Sequence, residues 1–252
     1  MTFDVTADAY ARFMGRYADP LAARFVELAD VERGRRALDV GCGPGTLTAQ
    51  LVARLGEDAV AAVDPSASFV AAVRARFPDV DVRSGTAERL PFADDSFDAA
   101  AAQLVVHFMS DPVAGLREMA RVVRSGGTVT ACVWDHAGRG GPLTAFWQAV
   151  HDVDAGAVDE AALPGAREGH LEELATAAGL HDVEPSSISV TVGFETFADW
   201  WEPFTLGVGP AGAYVTRLDD ARRAALMRRC EERLPPAPFD VVATAWCVRG
   251  RG

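Results

Sequence analysis

The sequence predicts an α/β chain built on a doubly wound, mostly parallel sheet of seven strands, the last one antiparallel, with a helical cap. Three observations predict it. Residues 36–48, RALDVGCGPGTLT, pass from a short apolar strand through a glycine turn into an amphipathic helix. Strand and helix patterns then alternate as far as Trp134. Beyond Asp135 the alternation loosens into aromatic-rich helices and two further strand patterns.

Residues 1–36 read as helical. Pro20 suits the first turn of a helix through Leu21, Phe25 and Leu28, with Gly34 closing it. Ahead of it, Tyr10 to Tyr17 is rich in aromatic and cationic side chains. Ala37–Val40 is the first strand, and Gly41-Cys42-Gly43-Pro44-Gly45 the turn that leads into a helix carrying Leu47, Leu51, Val52 and Leu55. Glycine tolerates positive φ and leaves the main chain bare, so a ligand can approach closely. The spacing departs from the dinucleotide fingerprint, because Thr46 stands where a third glycine would be. Asp39, just before the turn, would repel phosphate but suits a ligand with an ammonium or sulfonium charge.

The second strand, Ala59–Val63, ends at Asp64-Pro65-Ser66. Asp64 follows Asp39 by 25 positions, near the offset at which an acidic residue meets ribose hydroxyls. A carboxylate accepts both hydrogen bonds of a cis-diol. The alternative is an N-cap for the helix through Phe69, Val70 and Val73, where Phe69 either covers a ring face or fills the core. Val80–Arg83 is the third strand and Phe97–Val106 the fourth, apolar as a strand covered on both faces should be. Asp111-Pro112 opens a helix, Ser125-Gly126-Gly127 ends it, and Thr128–Trp134 is the fifth strand. Further on, helices are expected over 143–153, 171–178, 196–204 and 219–234, and strands over 183–194 and 240–248.

The stretch at 36–48 resembles motif I of the class I S-adenosylmethionine-dependent methyltransferases, LDxGCGxG. SGTAERLPFADDSFD (84–98) resembles their GDAExLPFxDxSFD, with Thr86 in place of the aspartate, and RVVRSGGTVTACVW (121–134) resembles their helix, R-V-x-x-x-G-G, strand. The match is nearly continuous from Arg36 to Trp134 and is closest to the small-molecule "methyltransferase type 11" group. The resemblance implies a Rossmann-like core at 37–135 that binds S-adenosyl-L-methionine. It also implies an N-terminal segment at 1–36 folded over the cofactor, and a region at 136–252 with the remaining strands and the acceptor-binding cap. Tyr10 and Arg16 would meet the amino-acid end of the cofactor, beside Asp39, Gly41, Cys42, Gly43 and Gly45. Asp64 and Pro65 would meet the ribose. Thr86, Ala87 and Glu88 would meet the adenine, more weakly than with an aspartate at 86. Gln103 to His107, at the carboxyl end of the fourth strand, would face the sulfonium, with Gln103 and Leu104 as its cofactor contacts. His107 is the candidate for a base or for orienting the acceptor; the alternative is a hydrogen-bonded histidine lining the pocket. Trp134, Phe146, Trp147, Trp200, Trp201 and Phe204 either line an acceptor pocket or form the core of the cap.

Composition narrows the classes. A formal net charge of −12 argues against broad binding to nucleic acid or anionic membrane. Arg222, Arg223, Arg228 and Arg229 are flanked by Asp219, Asp220, Glu231 and Glu232, as on a solvated helix face. The first twenty residues lack the apolar core of a secretory signal, and Ala99–Val106 is too short to span a bilayer. Cys42, Cys132, Cys230 and Cys247 show no C-x-x-C or zinc spacing and read as packing residues in a reducing cytoplasm. No cluster announces a metal. The fourth strand ends in QLVVHF rather than in the D/N-P-P-Y of enzymes that methylate base amino groups. A small-molecule methyltransferase is therefore expected. The alternatives are a nicotinamide oxidoreductase, a non-catalytic cofactor-binding partner subunit and an RNA methyltransferase. Oligomeric state is left open.

Overall fold

In the computed structural model residues 7–252 are described; the first six positions of the expected N-terminal segment lie outside the described residues. The chain opens with a helical run made of α1 (Ala7–Tyr10), a π-helical stretch (Ala11–Gly15) and α2 (Arg16–Phe25). Phe13, Tyr17, Leu21 and Phe25 recur every four residues and are all buried, one continuous apolar stripe. That stripe carries the helix through Pro20, which stands inside α2 rather than at its start.

Then follow β1 (Ala37–Val40), α3 (Thr46–Leu55), β2 (Val60–Asp64), α4 (Ala67–Arg76), β3 (Asp81–Ser84), β4 (Phe97–Gln103), α5 (Pro112–Val122) and β5 (Val123–Trp134). The later elements are α6 (Thr144–Val153), α7 (His170–Ala177), β6 (His181–Phe194), α8 (Phe197–Trp201), α9 (Gly209–Thr216), α10 (Asp220–Arg233) and β7 (Phe239–Arg251). Among the described residues seven strands form one sheet in the order β3-β2-β1-β4-β5-β7-β6. Six run parallel, and β7 lies antiparallel between β5 and β6. The direction of winding reverses between β1 and β4, so their carboxyl ends frame the crevice where such sheets take ligands.

Alternate residues serve opposite faces. Val60 and Ala62 of β2 join the core on one side with Leu51, Val73 and Phe146; Ala61 and Val63 join the other with Leu116 and Met119. Ala99 to Ala102 of β4 alternate in the same way, which is why that strand is alanine-rich and continuously apolar. Asp39 breaks the pattern on the α3 side of β1.

Differences from the sequence expectation that bear on the site lie in β4, α5 and α9. The fourth strand stops at Gln103, because Leu104 adopts φ 61° and the chain turns into a short 3-10 segment at Val106–Phe108. α5 ends at Val122, and Ser125-Gly126-Gly127 belong to β5, where the pairing with β4 slips between Phe97 and Ala99. α9 has no counterpart in the sequence reading, since GPAGAYVT lacks an amphipathic stripe. The cap helices are joined by Arg233 of α10, whose Nε and Nη2 donate to Asp152 of α6 at 2.8 and 2.5 Å.

Candidate functional site

Asp39 is 1% exposed, in the middle of the sheet opposite Ala62 and Ala101. Its Oδ2 accepts from Thr48 Oγ1 of α3 at 2.6 Å, while Oδ1 has no hydrogen-bond partner among the described residues. Burial pushes its carboxyl up to about 7; the Thr48 hydrogen bond works against the rise and the nearby Asp64 charge adds to it. The turn that follows is held by its own main chain. Gly41 N and Cys42 N both donate to Val63 O, and Gly45 N donates to Cys42 O. Gly41, Gly43 and Gly45 have φ of 72°, 52° and 92°.

Asp64 closes this turn from the next strand. Its Oδ2 accepts from Gly43 N at 2.9 Å and its Oδ1 from Ser66 N at 2.8 Å. Burial raises its carboxyl above the usual range, and these two bonds pull it part of the way back. Asp64 thus holds two loops in register and still offers lone pairs to the space in front of it.

That space is a cleft of about 300 Å³. Gly41, Gly43, Asp64 and Pro65 form one side, Thr86, Ala87 and Glu88 another, and Gln103, Leu104 and Tyr10 the inner end. A smaller recess shares Tyr10, Gly41, Gly43 and Gln103 with the cleft and adds Asp39 and Cys42. The Gln103 amide donates to Ala18 O at 3.0 Å, and its Oε1 has no partner among the described residues. Glu88 accepts from Ser110 N at 2.7 Å and ties the loop after β3 to the loop after β4. Burial would raise its carboxyl, but hydrogen bonds from its own backbone, Ser110, Asp111 and Thr86 outweigh that and hold it low. Tyr10 faces both Asp64 and Asp19; burial first, then these charges, push its phenol up, so it stands as a neutral hydroxyl.

Beside the cleft lies a second, mostly apolar chamber of about 40 Å³, behind a partition of Tyr10, Leu104 and Phe108 that lines both spaces. Trp134, His136, Leu143, Glu160 and Val208 are among its other walls. Burial holds the His136 imidazole down near 4, against the pull of Asp135 and Asp159.

Several expected residues sit elsewhere. Arg16 is exposed, donates to the Asp199 carbonyl at 3.1 Å and lies 5.2 Å over the Phe194 ring. It lines neither cleft nor recess. Gly45 is also outside them, and its missing Cβ lets α4 approach, since a methyl would sit 3.2 Å from Val73. His107 is 5% exposed and packs against Phe108 and His136, at 3.9 and 6.1 Å between ring centres. It lines none of the three spaces, because the early end of β4 puts Phe108 at the wall instead. Burial and His136 hold its imidazole well below its ordinary value. Of the aromatic set only Trp134 reaches the chamber. Phe146, Trp200, Trp201 and Phe204 pack on one another, with Phe146 and Phe204 stacked at 4.5 Å. Val105, inside the expected 103–107 segment, lines the cleft, whereas Met109 and Ser110 in the cleft and Glu160 in the chamber are not marked by any local pattern. Among the described residues no three His, Cys, Asp or Glu side chains are grouped to hold a metal.

A family model described as a methyltransferase domain matches residues 38–131. Over 130 residues the chain is 41% identical to a demethylmenaquinone methyltransferase of Beutenbergia cavernae, covering 50% of each chain. Residues 38–131 thus resemble a methyltransferase domain. An uncharacterized methyltransferase of Mycobacterium tuberculosis is 38% identical over 135 residues, 54% of this chain and 52% of that one. The chain spans about half the length of the curated relatives it matches. The YcgJ protein from Bacillus subtilis superposes with a TM-score of 0.60 at 20% identity, covering 92% of this chain and 98% of that one. The [4+2]-cyclase SpnF does so with 0.56 at 21%, covering 92% and 80%. These two likenesses speak for the fold alone. The matched methyltransferase domain supplies every cleft wall except Tyr10. The chamber's Trp134, His136, Glu160 and Val208 fall outside it.

The displacement of Arg16 has a measurable consequence. If Arg16 serves only the cap, Arg16→Ala leaves S-adenosylhomocysteine affinity within about twofold in isothermal titration, since surface contacts of this kind contribute little. A tenfold loss would return it to the cleft.

Proposed function

We propose that this chain is a methyltransferase that uses S-adenosylmethionine to methylate a small molecule. The observation that carries the proposal is the pair of buried acceptor oxygens, Asp39 Oδ1 and Gln103 Oε1, left without partners in a recess that opens beside Asp64. Buried acceptors without donors are costly, and together they ask for a cationic donor. The ammonium of the cofactor's amino-acid end is such a donor. Asp64 would take the ribose diol and Ala87 N–H, with Thr86, the adenine edge. Gly43 leaves the approach bare, since a Cβ there would meet no atom within 4 Å. These residues fit the group.

When bound, the cofactor supplies a methyl already activated by positive sulfur. The chain's own part is placement and exclusion of water. Tyr10, Leu104 and Phe108 stand between the cleft and the apolar chamber, so an acceptor seated there is screened from solvent. The names of the curated relatives, the acidic charge and the size of the chamber all support a small-molecule acceptor over RNA. His107 is not assigned as a base.

Titration with S-adenosylmethionine and with reduced nicotinamide dinucleotide tests the cofactor. Binding of the second and not the first would end the proposal. Transfer of labelled methyl to a metabolite panel separates an enzyme from a non-catalytic partner subunit.

The buried carboxyl of Asp39 gives this reading a pH signature. Its raised value means that the free protein holds a proton there below about 7. An ammonium alongside favours the carboxylate, so binding releases that proton. Affinity should therefore rise with pH from 5.5 to 7, by up to about tenfold per unit, then level off. Asp39→Asn should bind more weakly and flatten the slope. A pH-independent wild type would contradict the assignment.

A further inference from the structure

Among the described residues four carboxyls are buried: Asp39, Asp64, Asp135 and Glu160. Asp64 and Asp135 have their own structural partners, the latter in Gly138 N and Gly140 N, and the proposed cofactor accounts for the open oxygen of Asp39. Glu160 is different. It is 4% exposed on the loop between α6 and α7, in the wall of an otherwise mostly apolar chamber. One hydrogen bond meets it, from Trp147 Nε1 to its Oε2 at 2.7 Å, and no cation forms an ion pair with it among the described residues. A carboxyl in such a place is expensive unless something else bonds to it.

We propose that Glu160 is the polar anchor of the acceptor chamber, accepting a hydrogen bond from the hydroxyl of an uncharged, otherwise apolar acceptor. This rests on the cofactor reading above. The chemistry of the walls selects the class. A cation would gain from Glu160 but lose against the sulfonium in a dry space, and an anion would be repelled by Glu160 itself. A neutral donor meets neither. Trp134, another wall residue, carries a buried Nε1–H with no partner among the described residues, a donor for the same hydroxyl's lone pair. The chamber's 40 Å³ holds little more than the hydroxyl end of a ring. The body of the acceptor would lie against the Tyr10–Phe108 wall that the chamber shares with the cleft.

The groups around Glu160 agree with this. His136 from the end of β5 is held neutral and Tyr10 from α1 stays protonated, so neither pairs with it as an ion. Asp159, beside it on the loop, lies 3.6 Å from His151 of α6 and adds negative charge. Burial first, with Asp159, pushes the Glu160 carboxyl up to about 7 against the pull of the Trp147 bond.

Phenol and toluene, nearly equal in shape, are the probes, titrated by NMR into the full chain saturated with S-adenosylhomocysteine. At pH 8, where the Glu160 carboxyl is ionised, the wild type should bind phenol about tenfold or more tightly than toluene, the size of one hydrogen bond to a charged group. Glu160→Leu should reduce that preference to within twofold, and Glu160→Gln, which keeps an acceptor, should reduce it partly. S-adenosylhomocysteine affinity should stay within twofold in both variants, which also reports that they are folded. Equal binding of the two probes, binding of neither, or a preference that survives Glu160→Leu overturns the assignment while the cofactor reading stands. A wild type that does not bind S-adenosylhomocysteine removes both.

Discussion

Asp64→Ala is expected to weaken S-adenosylhomocysteine binding about 100-fold or more in isothermal titration. The carboxylate has two tasks. It accepts Gly43 N and Ser66 N, holding the glycine turn against the loop after β2. In the proposed complex its remaining lone pairs take the ribose diol, and two hydrogen bonds to a charged group together supply about 3 kcal/mol or more. Loss of the first task appears separately, as about 1–3 kcal/mol of stability in urea unfolding, because two backbone donors lose their partner. Asp64→Asn keeps one acceptor oxygen but turns an NH₂ toward a donor, and should fall between. An alanine variant that binds within threefold of wild type would show that the carboxylate serves only the turn.

Gly41→Ala should lower the melting temperature by roughly 6–12 °C, about 3 kcal/mol at this chain length. Two causes add. At φ 72° any Cβ is strained, which costs about 1–2 kcal/mol. The new methyl would also sit 2.5 and 2.7 Å from the two Cγ atoms of Val105, and overpacking of that kind costs about 1–3 kcal/mol. Val105→Ala in the same chain should recover the second part and not the first. No recovery would mean that backbone conformation alone sets the loss. Gly43→Ala is the control, because its Cβ meets no atom within 4 Å. It should lose about 1 kcal/mol of stability while affecting ligand binding far more.

What could be read in advance was local. Asp39, the glycine turn and Asp64 lie within 26 positions of one another, and a strand–turn–helix pattern places them almost without tertiary information. Thr86 to Glu88 were marked by the stretch up to Asp98, and Gln103 by its strand. The differences in placement involve distant partners or a shifted boundary. Arg16 is drawn to Asp199, 183 positions away, a contact that no local pattern announces. His107 lies off the cleft because the strand stops at Gln103; a run of apolar residues does not show where a positive φ at Leu104 will break it. Glu160 sits in a loop without periodicity, and its burial depends on Trp147 and on cap helices that meet only in the finished fold. The spacing of the cap aromatics does not say which of them line the chamber; Trp134 does, while Phe146 and Phe204 stack in the cap core.

The sheet order has a consequence for how the chain assembles. β6 precedes β7 along the chain, yet β7 is its partner in the sheet and also borders β5. During synthesis, the fourteen residues of β6 and the outer side of β5 must wait as open edges until residues 239–251 leave the ribosome. The nascent protein therefore passes through a stage in which its first five strands can pair while the β6–β7 hairpin cannot, with strand edges open to other chains.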